Sequence, residues 1–324
     1  MQIDRRLVGF GLFLITVGAV MVAVRQGLIP DDTARRSWSL WPLILVGVGL
    51  SIALARRPGA AIGGLVLAVT FGAMAGGFAA TGSFGFSGLC NGDRAGGTAF
   101  PDGSGDLADG ARVTINQACG DVTVTTAGGS HWSLSGVSPD GRAPRFLGAS
   151  DTLRIDASEG NTFGLDPSAA WDVVLPQDPL LELAIEANAG DARVTLAGAR
   201  LSRLSLDRNA GSIDVDLREI HAIDELSLDI NAGSGTLRLP AIGFAGRLSV
   251  NAGSLAICTR PGSGLRIRLE GSFASSNDFD EHGLSEVDGA WQTQGYATAE
   301  TRIALDADVN AGSLSLDPVR TCAG

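Results

Sequence analysis

The sequence contains no lysine, and it is poor in the residues that most often carry out chemistry. All 24 basic side chains among the 324 residues are arginines, and only three histidines and four cysteines occur. His131, His221 and His282 lie far apart and lack the spacing of metal ligands. The sequence has no nucleophile elbow, phosphate-binding glycine loop or His-Glu-x-x-His motif. It therefore predicts a protein that is not an enzyme and that uses no metal or cofactor.

The scarcity of positive charge is confined to one part of the chain. Residues 1–89 hold seven arginines and three acidic residues, a net charge of +4, whereas residues 90–324 hold 17 arginines and 32 acidic residues, a net charge of −15. Together these give the net charge of −11. Nucleic acid and anionic lipid both require a basic surface, so the second part is not expected to bind either of them. A basic peptide would be compatible with this charge, and a solvated polar face is the more ordinary explanation.

Three uncharged, apolar runs mark residues 1–89 as a membrane region. They cover residues 7–24, 39–55 and 60–80, and each is long enough, or nearly so, to cross a bilayer as a helix. Trp38 and Trp41 stand at the start of the second run, as interfacial aromatic residues do. A cleaved signal peptide is the alternative for the first run, but no small-residue cleavage site follows it. Ala and Gly dominate the third run, which makes it the weakest of the three predicted spans.

The cysteines indicate the orientation of the chain. The arginines flanking the runs are nearly balanced between the two sides, so they do not fix the topology. Cys90, Cys119, Cys258 and Cys322 all follow the last run, which suits an oxidising compartment. With three spans, the sequence therefore predicts a cytoplasmic N-terminus and an extracytoplasmic second part. The alternative is four free thiols in a cytoplasmic domain.

The second part is repetitive. The tripeptide Asn-Ala-Gly begins at Asn188, Asn209, Asn231, Asn251 and Asn310, and the first four copies begin 21, 22 and 20 residues apart. Apolar and polar residues alternate on both sides of each copy, which is typical of strands with one buried face. A period of about 20 residues with a fixed turn motif is typical of stacked coils. We therefore expect an all-β, stacked-coil solenoid over residues 111–324.

The Asn-Ala-Gly motif is expected to form the corner of each coil. Asn and Gly adopt positive φ more readily than other residues. Stacked corner asparagines would lie about 4.8 Å apart, so their side-chain amides could form a hydrogen-bonded ladder inside the structure. The alternative is a ligand-binding row of the same five asparagines. Asn116 is interpreted as a sixth, degenerate copy with one inserted residue.

Two further segments stand out from the repeats. Residues 90–110 are rich in Gly and Asp and are expected to be a flexible linker. Within this segment, Asp102, Ser104 and Asp106 resemble the start of a calcium loop, but Leu107 occupies the glycine position and no closing Glu follows, so we expect no calcium site. The insertion at residues 271–300 has a dense polar cluster and two aromatic residues, and it is a candidate binding loop formed by Asp278, Asp280, Glu281, His282, Trp291 and Tyr296. A cap that covers the terminal edge of the stack is the favoured interpretation.

The position of the cysteines in the repeats predicts two disulfides. Cys258 follows the Asn251 corner and Cys322 follows the Asn310 corner. If the last coil stacks directly on the Asn251 coil, the two residues can reach the Cα separation of about 4.4–6.8 Å that a disulfide requires. A Cys258–Cys322 bridge is therefore expected, and Cys90–Cys119 is then the remaining pair, by elimination.

Two segments resemble known bacterial families. Gly-Phe-Gly-Leu at residues 9–12 and Trp-Ser-Leu-Trp-Pro-Leu-Ile-Leu-Val-Gly-Val-Gly-Leu at residues 38–50 resemble the transmembrane region of LiaF-like envelope-stress proteins. The repeats, with the later Trp291-x-x-x-Gly295-Tyr296 element, resemble the toastrack domains of the same proteins, which are also catalogued as proposed adhesins. The resemblance implies a membrane-anchored protein of the cell-envelope stress response that acts with two-component signalling proteins, without catalytic residues. Three spans and four cysteines depart from that pattern.

The sequence therefore favours an integral membrane protein whose β-repeat domain senses or binds a ligand or partner at the cell surface. Other envelope proteins or two-component signalling proteins of the membrane are the expected partners, and no nucleic acid is expected. One alternative is a surface adhesin or a self-assembling structural element. The other is a carbohydrate-active enzyme on a β-helix, which would need an acidic pair in a groove.

Overall fold

The computed structural model describes residues 15–16, 19, 69–71, 97–157, 169–317 and 319–322. The chain divides into two compact units, residues 1–88 and residues 89–324. The second unit is the β unit considered below.

The three predicted membrane spans lie almost entirely outside the described residues. Only residues 15–16, 19 and 69–71 of these spans are described, and they are helical. Among the described positions, no helix combines the length and the apolar character that crossing a membrane requires. Cys90 also lies outside the described residues.

The β unit consists of long strands in its middle and short strands at its two ends. A 3₁₀ turn covers Tyr296–Thr298, and a short helix, α1, covers Val319–Cys322. The strands are β1 (Thr98–Ala99), β2 (Gly103–Asp106), β3 (Ala111–Ala127), β4 (His131–Ser138), β5 (Arg145–Ala149), β6 (Thr152–Asp156), β7 (Ala169–Pro176), β8 (Leu180–Thr195), β9 (Arg200–Asp216), β10 (Ala222–Arg238), β11 (Phe244–Cys258), β12 (Gly264–Asn277), β13 (Leu284–Val287), β14 (Ala290–Thr293) and β15 (Arg302–Leu316).

The long strands stack in parallel, in the order β3, β8, β9, β10, β11, β15 and β12. Each carries a corner near its middle, which divides it into a first arm and a second arm. In β9 the inward-facing residues change parity at the corner: Leu204 and Leu206 precede it, and Ile213 and Val215 follow it. This change keeps both arms facing the same core, and the register continues across the corner, with only the corner asparagine left out of the pairing. The all-β, stacked-coil fold expected from the sequence is what the structure shows.

The core lies between the two arms and consists of stacked rows of aliphatic side chains. A row on the first arm and a row on the second arm are each fully buried: Ile115, Ile185, Leu206, Leu228 and Leu248, and Val124, Val194, Val215, Leu237 and Ile257. Burying one such side chain contributes about 1.5–3 kcal/mol. Because every coil adds members to the same rows, stability grows with the number of stacked coils.

The N-terminal end of the β unit differs from the sequence-based expectation. Residues 98–106, inside the predicted linker 90–110, form β1 and β2, which pair with β4 in antiparallel fashion. Phe100 and Leu107 are buried in the core. The segment looks like a linker because Gly and Asp surround these two apolar residues, but the described part of it, from residue 97, is folded structure. The β domain therefore begins earlier than residue 111.

The C-terminal end contains one departure from chain order. Strand β15 lies between β11 and β12, so the Asn310 coil stacks directly on the Asn251 coil. The β13–β14 hairpin then pairs with the outer side of β12. Most of the insertion at residues 271–300 thus lies at the end of the stack, as expected of a cap.

Candidate functional site

The five corner asparagines form a continuous ladder. The amide Nδ2 of each one donates to the Oδ1 of the asparagine on the preceding coil: Asn209 to Asn188 at 2.5 Å, and Asn231 to Asn209, Asn251 to Asn231 and Asn310 to Asn251, each at 2.8 Å. The side chains are exposed or half-buried, so the ladder lies along a ridge at the surface. An amide that both donates and accepts along a ladder has fewer groups left to offer to a ligand.

The corner geometry depends on glycine, not on asparagine. Gly190, Gly211, Gly233 and Gly253 have φ between 110° and 147°, and among the described residues the only others with positive φ besides glycine are Asp288 and Asp317. A Cβ atom on Gly211, Gly233 or Gly253 would collide with the carbonyl oxygen of the glycine on the preceding coil. The corner glycines therefore form a column in which each carbonyl occupies the space of the next side chain. Of the two residue types that the motif offers for a positive φ, the glycine and not the asparagine adopts it at these four corners.

The predicted sixth copy is shifted by two residues. Pairing of β3 with β8 places Cys119 opposite Ala189, so Ala118, and not Asn116, occupies the ladder position. Asn116 instead donates to Asp156 Oδ1 at 2.6 Å. The ladder thus begins at Asn188, because the first coil has no amide to extend it.

Gln117 and Arg208 are polar side chains inside the corner. Gln117 is buried and donates to the carbonyl oxygens of Asp121 and Ala169 at 2.9 and 3.1 Å. Arg208 is 0% exposed and donates to the carbonyl oxygens of Ala187, at 2.9 Å, and Gly190. Both side chains thus satisfy backbone carbonyls of the N-terminal coils from within. The alternation that continues from Leu204 and Leu206 points Arg208 inward, and this was the signal that the sequence offered for it.

Burial shifts the titration of Arg208. It lowers the pKa of the guanidinium to about 10, against the opposing effect of the nearby carboxylates Asp191 and Asp121. The group therefore stays charged at neutral pH. Its Nε atom is buried without a hydrogen-bond partner. A fully buried charge of this kind carries a desolvation cost that its two carbonyl hydrogen bonds must offset.

The outer face of the first arm carries two contrasting rows of charge. In the first, which we call the alternating row, arginine and glutamate alternate on β3, β8, β9 and β10. Ion pairs join Arg112 to Glu182 at 2.9 Å and Arg203 to Glu225 at 2.7 Å. The acidic row lies four residues closer to the corner and consists of Glu186, Asp207, Asp229, Asp308 and Glu270, with Ser249 between Asp229 and Asp308.

The pKa of Asp207 shows that the acidic row is electrostatically unfavourable. Burial, followed by the charges of Asp229 and Glu186, raises the pKa of its carboxyl group above the ordinary value of 3.8. Its Oδ1 atom is buried without a hydrogen-bond partner. Like charges directly opposite one another on adjacent strands are destabilising. Within the described ranges, no group of three or more His, Cys, Asp or Glu side chains is arranged to hold a metal ion.

A depression lies where the second arms of β8, β9 and β11 end and the chain turns towards the next coil, and two acidic residues, Asp216 and Glu219, line it. It has a volume of about 320 Å³ and is lined by Thr195, Ala197, Asp216, Arg218, Glu219 and Arg260. Arg218 contacts Asp216 at 2.7 Å, and Arg260 contacts Glu219 at 2.8 Å. Burial acts to raise the pKa of Asp216, but the hydrogen bonds from Arg218 outweigh it and the pKa is lowered. A glycosidase general acid needs a raised pKa, which Asp216 does not have.

The predicted binding loop is largely occupied by contacts within the cap. Asp278 Oδ1 accepts the backbone N–H of Leu316 at 2.8 Å, and its Oδ2 lies 3.8 Å from His282 Nε2. Trp291 packs edge-to-face on the buried Phe279, with ring centroids 6.0 Å apart. Tyr296 begins the 3₁₀ turn. Asp280 and Glu281 are exposed and carry no ion pair in the structure. Three of the six side chains, those of Asp278, His282 and Trp291, are therefore engaged in contacts within the cap.

The structure contains the Cys258–Cys322 disulfide, with a Cα–Cα distance of 5.5 Å. It joins the end of β11 to α1, beside the stacked β15 strand. Asp317 supports this junction, because its carboxylate accepts the backbone N–H of Thr259 at 2.6 Å and its own N–H donates to Ile257 O. Cys119 is also disulfide-bonded.

Two family models match the chain. Residues 145–240 match the N-terminal domain of toast_rack, and residues 8–53 match the LiaI-LiaF-like transmembrane region. These matches confirm the resemblance to a LiaF-like transmembrane region joined to a toastrack domain. A comparison with curated protein sequences finds no match.

Solved structures of several bacterial proteins are also similar to this chain. A proposed cell adhesion protein of Clostridium sporogenes is 13% identical with a TM-score of 0.42, over 67% of this chain and 98% of its own. A proposed adhesin of Bacteroides fragilis is 10% identical with a TM-score of 0.31, over 68% and 97%. A proposed lipid-binding protein of Parabacteroides distasonis is 11% identical with a TM-score of 0.27, over 68% and 98%.

Proposed function

We propose that the protein is an integral membrane protein of the cell envelope whose β unit is held on the extracytoplasmic side and binds a partner there, without catalysing a reaction. The observation that carries this proposal is the combination of a match to a LiaI-LiaF-like transmembrane region at residues 8–53 with a disulfide-bonded β unit on the same chain. Disulfides persist in oxidising compartments, and those lie outside the cytoplasm.

The outer surface of the stack is suited to binding and not to chemistry. Its rows repeat at the spacing of adjacent strands, about 4.8 Å, and present amides, hydroxyls and charges in straight lines. The carboxylates of the depression are held by Arg218 and Arg260. A role in the envelope-stress response, together with other envelope proteins or two-component signalling proteins, is part of this proposal and draws on the LiaF-like match.

A reporter enzyme that is active only outside the cytoplasm tests the topology. Fused after Gly324 of the full chain, it should be active; fused after Arg57, between the second and third predicted spans, it should be inactive. The opposite pattern would overturn the orientation. Release of the full chain from membranes by alkaline carbonate would overturn the integral anchoring itself.

A photo-crosslinking residue tests the partner. Among the residues of the predicted loop, Glu281 is exposed and makes no ion pair, so it is the preferred position. Asp109, exposed near the other end of the β unit, is the control position. An adduct with a membrane protein at Glu281 and not at Asp109 supports partner binding through the cap. Equal labelling at both positions would contradict a defined binding surface there.

A further inference from the structure

Strand β12 continues the repeat of the coils although it does not stack on β11. A bulge interrupts its pairing after Gly271, which lies 20 residues beyond Asn251, as the period of the repeat requires. The connector from β11 to β12 has five residues, 259–263, as do the connectors 217–221 and 239–243 between strands that are direct neighbours. Yet β15 lies between β11 and β12. By its place in the repeat, β12 is the next coil after β11, and β15 is an inserted strand.

The first arm of β12 has the apolar pattern of β15 in the same register. At three successive inward positions, β15 and β12 carry Ile303 and Leu265, Leu305 and Ile267, and Ala307 and Leu269. The Leu305 side chain fills the space beside Gly246 of β11, where a Cβ atom would lie 3.0 Å from its Cδ2 atom. Because Ile267 has the same number of atoms as Leu305, it suits this space as well.

The second arm of β12 does not match β15. Ser275 stands at the position of Gly312, and Asn277 stands at the position of the buried Leu314. A Cβ atom at Gly312 would collide with the carbonyl oxygen of Gly253, so a serine cannot take this place beside β11 unless the corner shifts. The pairing of β12 with β11 is therefore possible along the first arm, whereas β15 fits along its whole length.

Charge also favours the arrangement in which β15 is inserted. Asp306 lies between Arg247 on β11 and Arg268 on β12, and its carboxylate is 3.5 Å from the Arg268 guanidinium. Without β15 the two arginines would be direct neighbours, and like charges directly opposite one another on adjacent strands are destabilising. Insertion of β15 thus replaces a repulsion with an attraction.

We propose that the place beside β11 has two alternative occupants. In the arrangement that the structure shows, β15 occupies it and β12 lies outside β15. In a second, less stable arrangement, which we call the closed stack, β15 is released and the first arm of β12 pairs directly with β11 in the register that β15 uses. Exchange between the two arrangements is a conformational switch at the C-terminal end of the stack, and it makes residues 302–316 accessible.

Contacts beyond β15 hold the inserted arrangement. The Cys258–Cys322 disulfide and the hydrogen bond from the Thr259 N–H to the Asp317 carboxylate join the end of β11 to the segment after β15. Both need β15 beside β11, since Asp317 directly follows Leu316, the last residue of β15. The disulfide therefore acts as a lock, and its removal should allow the closed stack to form.

Disulfide crosslinking of the full chain in detergent micelles tests the closed stack. Arg247→Cys with Arg268→Cys reports pairing of β11 with β12. These positions are two strand spacings apart in the inserted arrangement, about 9–10 Å, which is too far for a disulfide, and about 4.8 Å apart in the closed stack. Ser227→Cys with Arg247→Cys, on the directly paired β10 and β11, is the matched control. Cys258→Ser and Cys322→Ser are present in all these variants.

Leu305→Asp drives the exchange, because it places a carboxylate at a buried position of β15. The β11–β12 crosslink should increase at least about fivefold, since burying that carboxylate disfavours the inserted arrangement, and the control crosslink should be unchanged. The absence of an increase would overturn the proposal. Leu305→Ala, a milder change, should give a smaller increase. Loss of the control crosslink in both Leu305 variants would also overturn the proposal, because the closed stack keeps β10 and β11 paired.

Restoring Cys258 and Cys322 tests the lock. With Leu305 unchanged, the β11–β12 crosslink should accumulate under mild oxidation at least about fivefold more slowly when the Cys258–Cys322 bond is present than when it is absent, because the bond disfavours release of β15. Equal rates would overturn the locking role of the disulfide.

Discussion

The asparagine ladder and the acidic row arise from the same parallel, in-register stacking, yet the stacking stabilises the ladder and destabilises the acidic row. In both, each residue lies next to a similar residue on the adjacent coil. An amide both donates and accepts, so Asn231 can bond to Asn209 and to Asn251 at once. A carboxylate only accepts, so Asp207 gains repulsion from Asp229 and Glu186. In-register repetition therefore favours side chains that can hydrogen-bond to a copy of themselves. The alternating row avoids like-charge repulsion because arginine and glutamate alternate along it.

The glycine column should show the largest effect. Gly233→Ala places a Cβ atom against the carbonyl oxygen of Gly211, at a φ of 142°. The strain and the clash together are expected to cost at least about 4 kcal/mol, which is at the extreme for one substitution. Thermal unfolding of residues 89–324, a compact unit with its own core, measures the change. Gly128→Ala has no atom closer than 3.9 Å and should stay within about 0.5 kcal/mol. Equal stability of the two variants would contradict the column.

Arg208 tests what the interior of the corner requires. Arg208→Ala removes the hydrogen bonds to Ala187 and Gly190 and leaves a cavity, with an expected loss of about 2–5 kcal/mol. Arg208→Met fills most of the same volume without a buried charge, and it should unfold within about 1 kcal/mol of the native protein. Chemical denaturation of both variants distinguishes volume from charge. A methionine variant as unstable as the alanine variant would show that the carbonyl contacts are indispensable.

The ladder should respond according to position. Asn231→Ala removes one donated and one accepted hydrogen bond and should cost about 1–3 kcal/mol. Asn310→Ala removes its donated bond to Asn251 at the end of the ladder, with an expected cost of about 0.5–1.5 kcal/mol. Unfolding free energies of the two variants give the comparison. If the end position costs as much as the middle, the amides do not act as a connected ladder.

Asp207 should show the smallest effect, with the opposite sign. Its folded pKa is raised, so the ionised carboxylate is less stable in the folded state than in the unfolded state. Asp207→Asn should therefore stabilise the protein at pH 7 by about 0.2–1 kcal/mol. The gain should shrink as the pH falls through the raised pKa and vanish below the ordinary value of 3.8. Glu225→Gln breaks an ion pair in the alternating row, so it should not raise the free energy of unfolding at pH 7 or below pH 3.8. Unfolding free energies of both variants at the two pH values are the measurement. A gain for both variants would remove the contrast between the rows.

The repeat made the central coils predictable from the sequence. The period of the repeat predicted where the corners lie, and the alternation of apolar residues predicted which side chains face the core. Stacking of the Asn310 corner on the Asn251 corner predicted that Cys258 lies near Cys322. The N-terminal end follows no repeat, so a 20-residue period did not predict the antiparallel pairing of β1 and β2 with β4 or of β5 with β6. Phe100 and Leu107 were too isolated among Gly and Asp to reveal a fold.

The candidate site was only partly predictable, because hydrogen-bond partners depend on register. Asn116 belongs to the motif in sequence, but the pairing of β3 with β8 moves it off the ladder. Arg208 stands at an inward position, but only the structure shows the two carbonyls that accept from it. In the cap, the polar residues of the insertion resemble a binding cluster, although Asp278 holds the backbone of Leu316.

The position of β15 between β11 and β12 sets the order in which the molecule can be completed. Chain growth delivers β12 before β15, so a nascent chain cannot stack coil upon coil to the end. The space beside β11 must stay open, or be vacated, until residues 302–316 have emerged. These contacts are distant in sequence and are expected to form slowly. The Cys258–Cys322 bond spans 64 residues and ties the segment that follows β15 to the end of β11, so it secures the inserted strand once that strand has entered the stack.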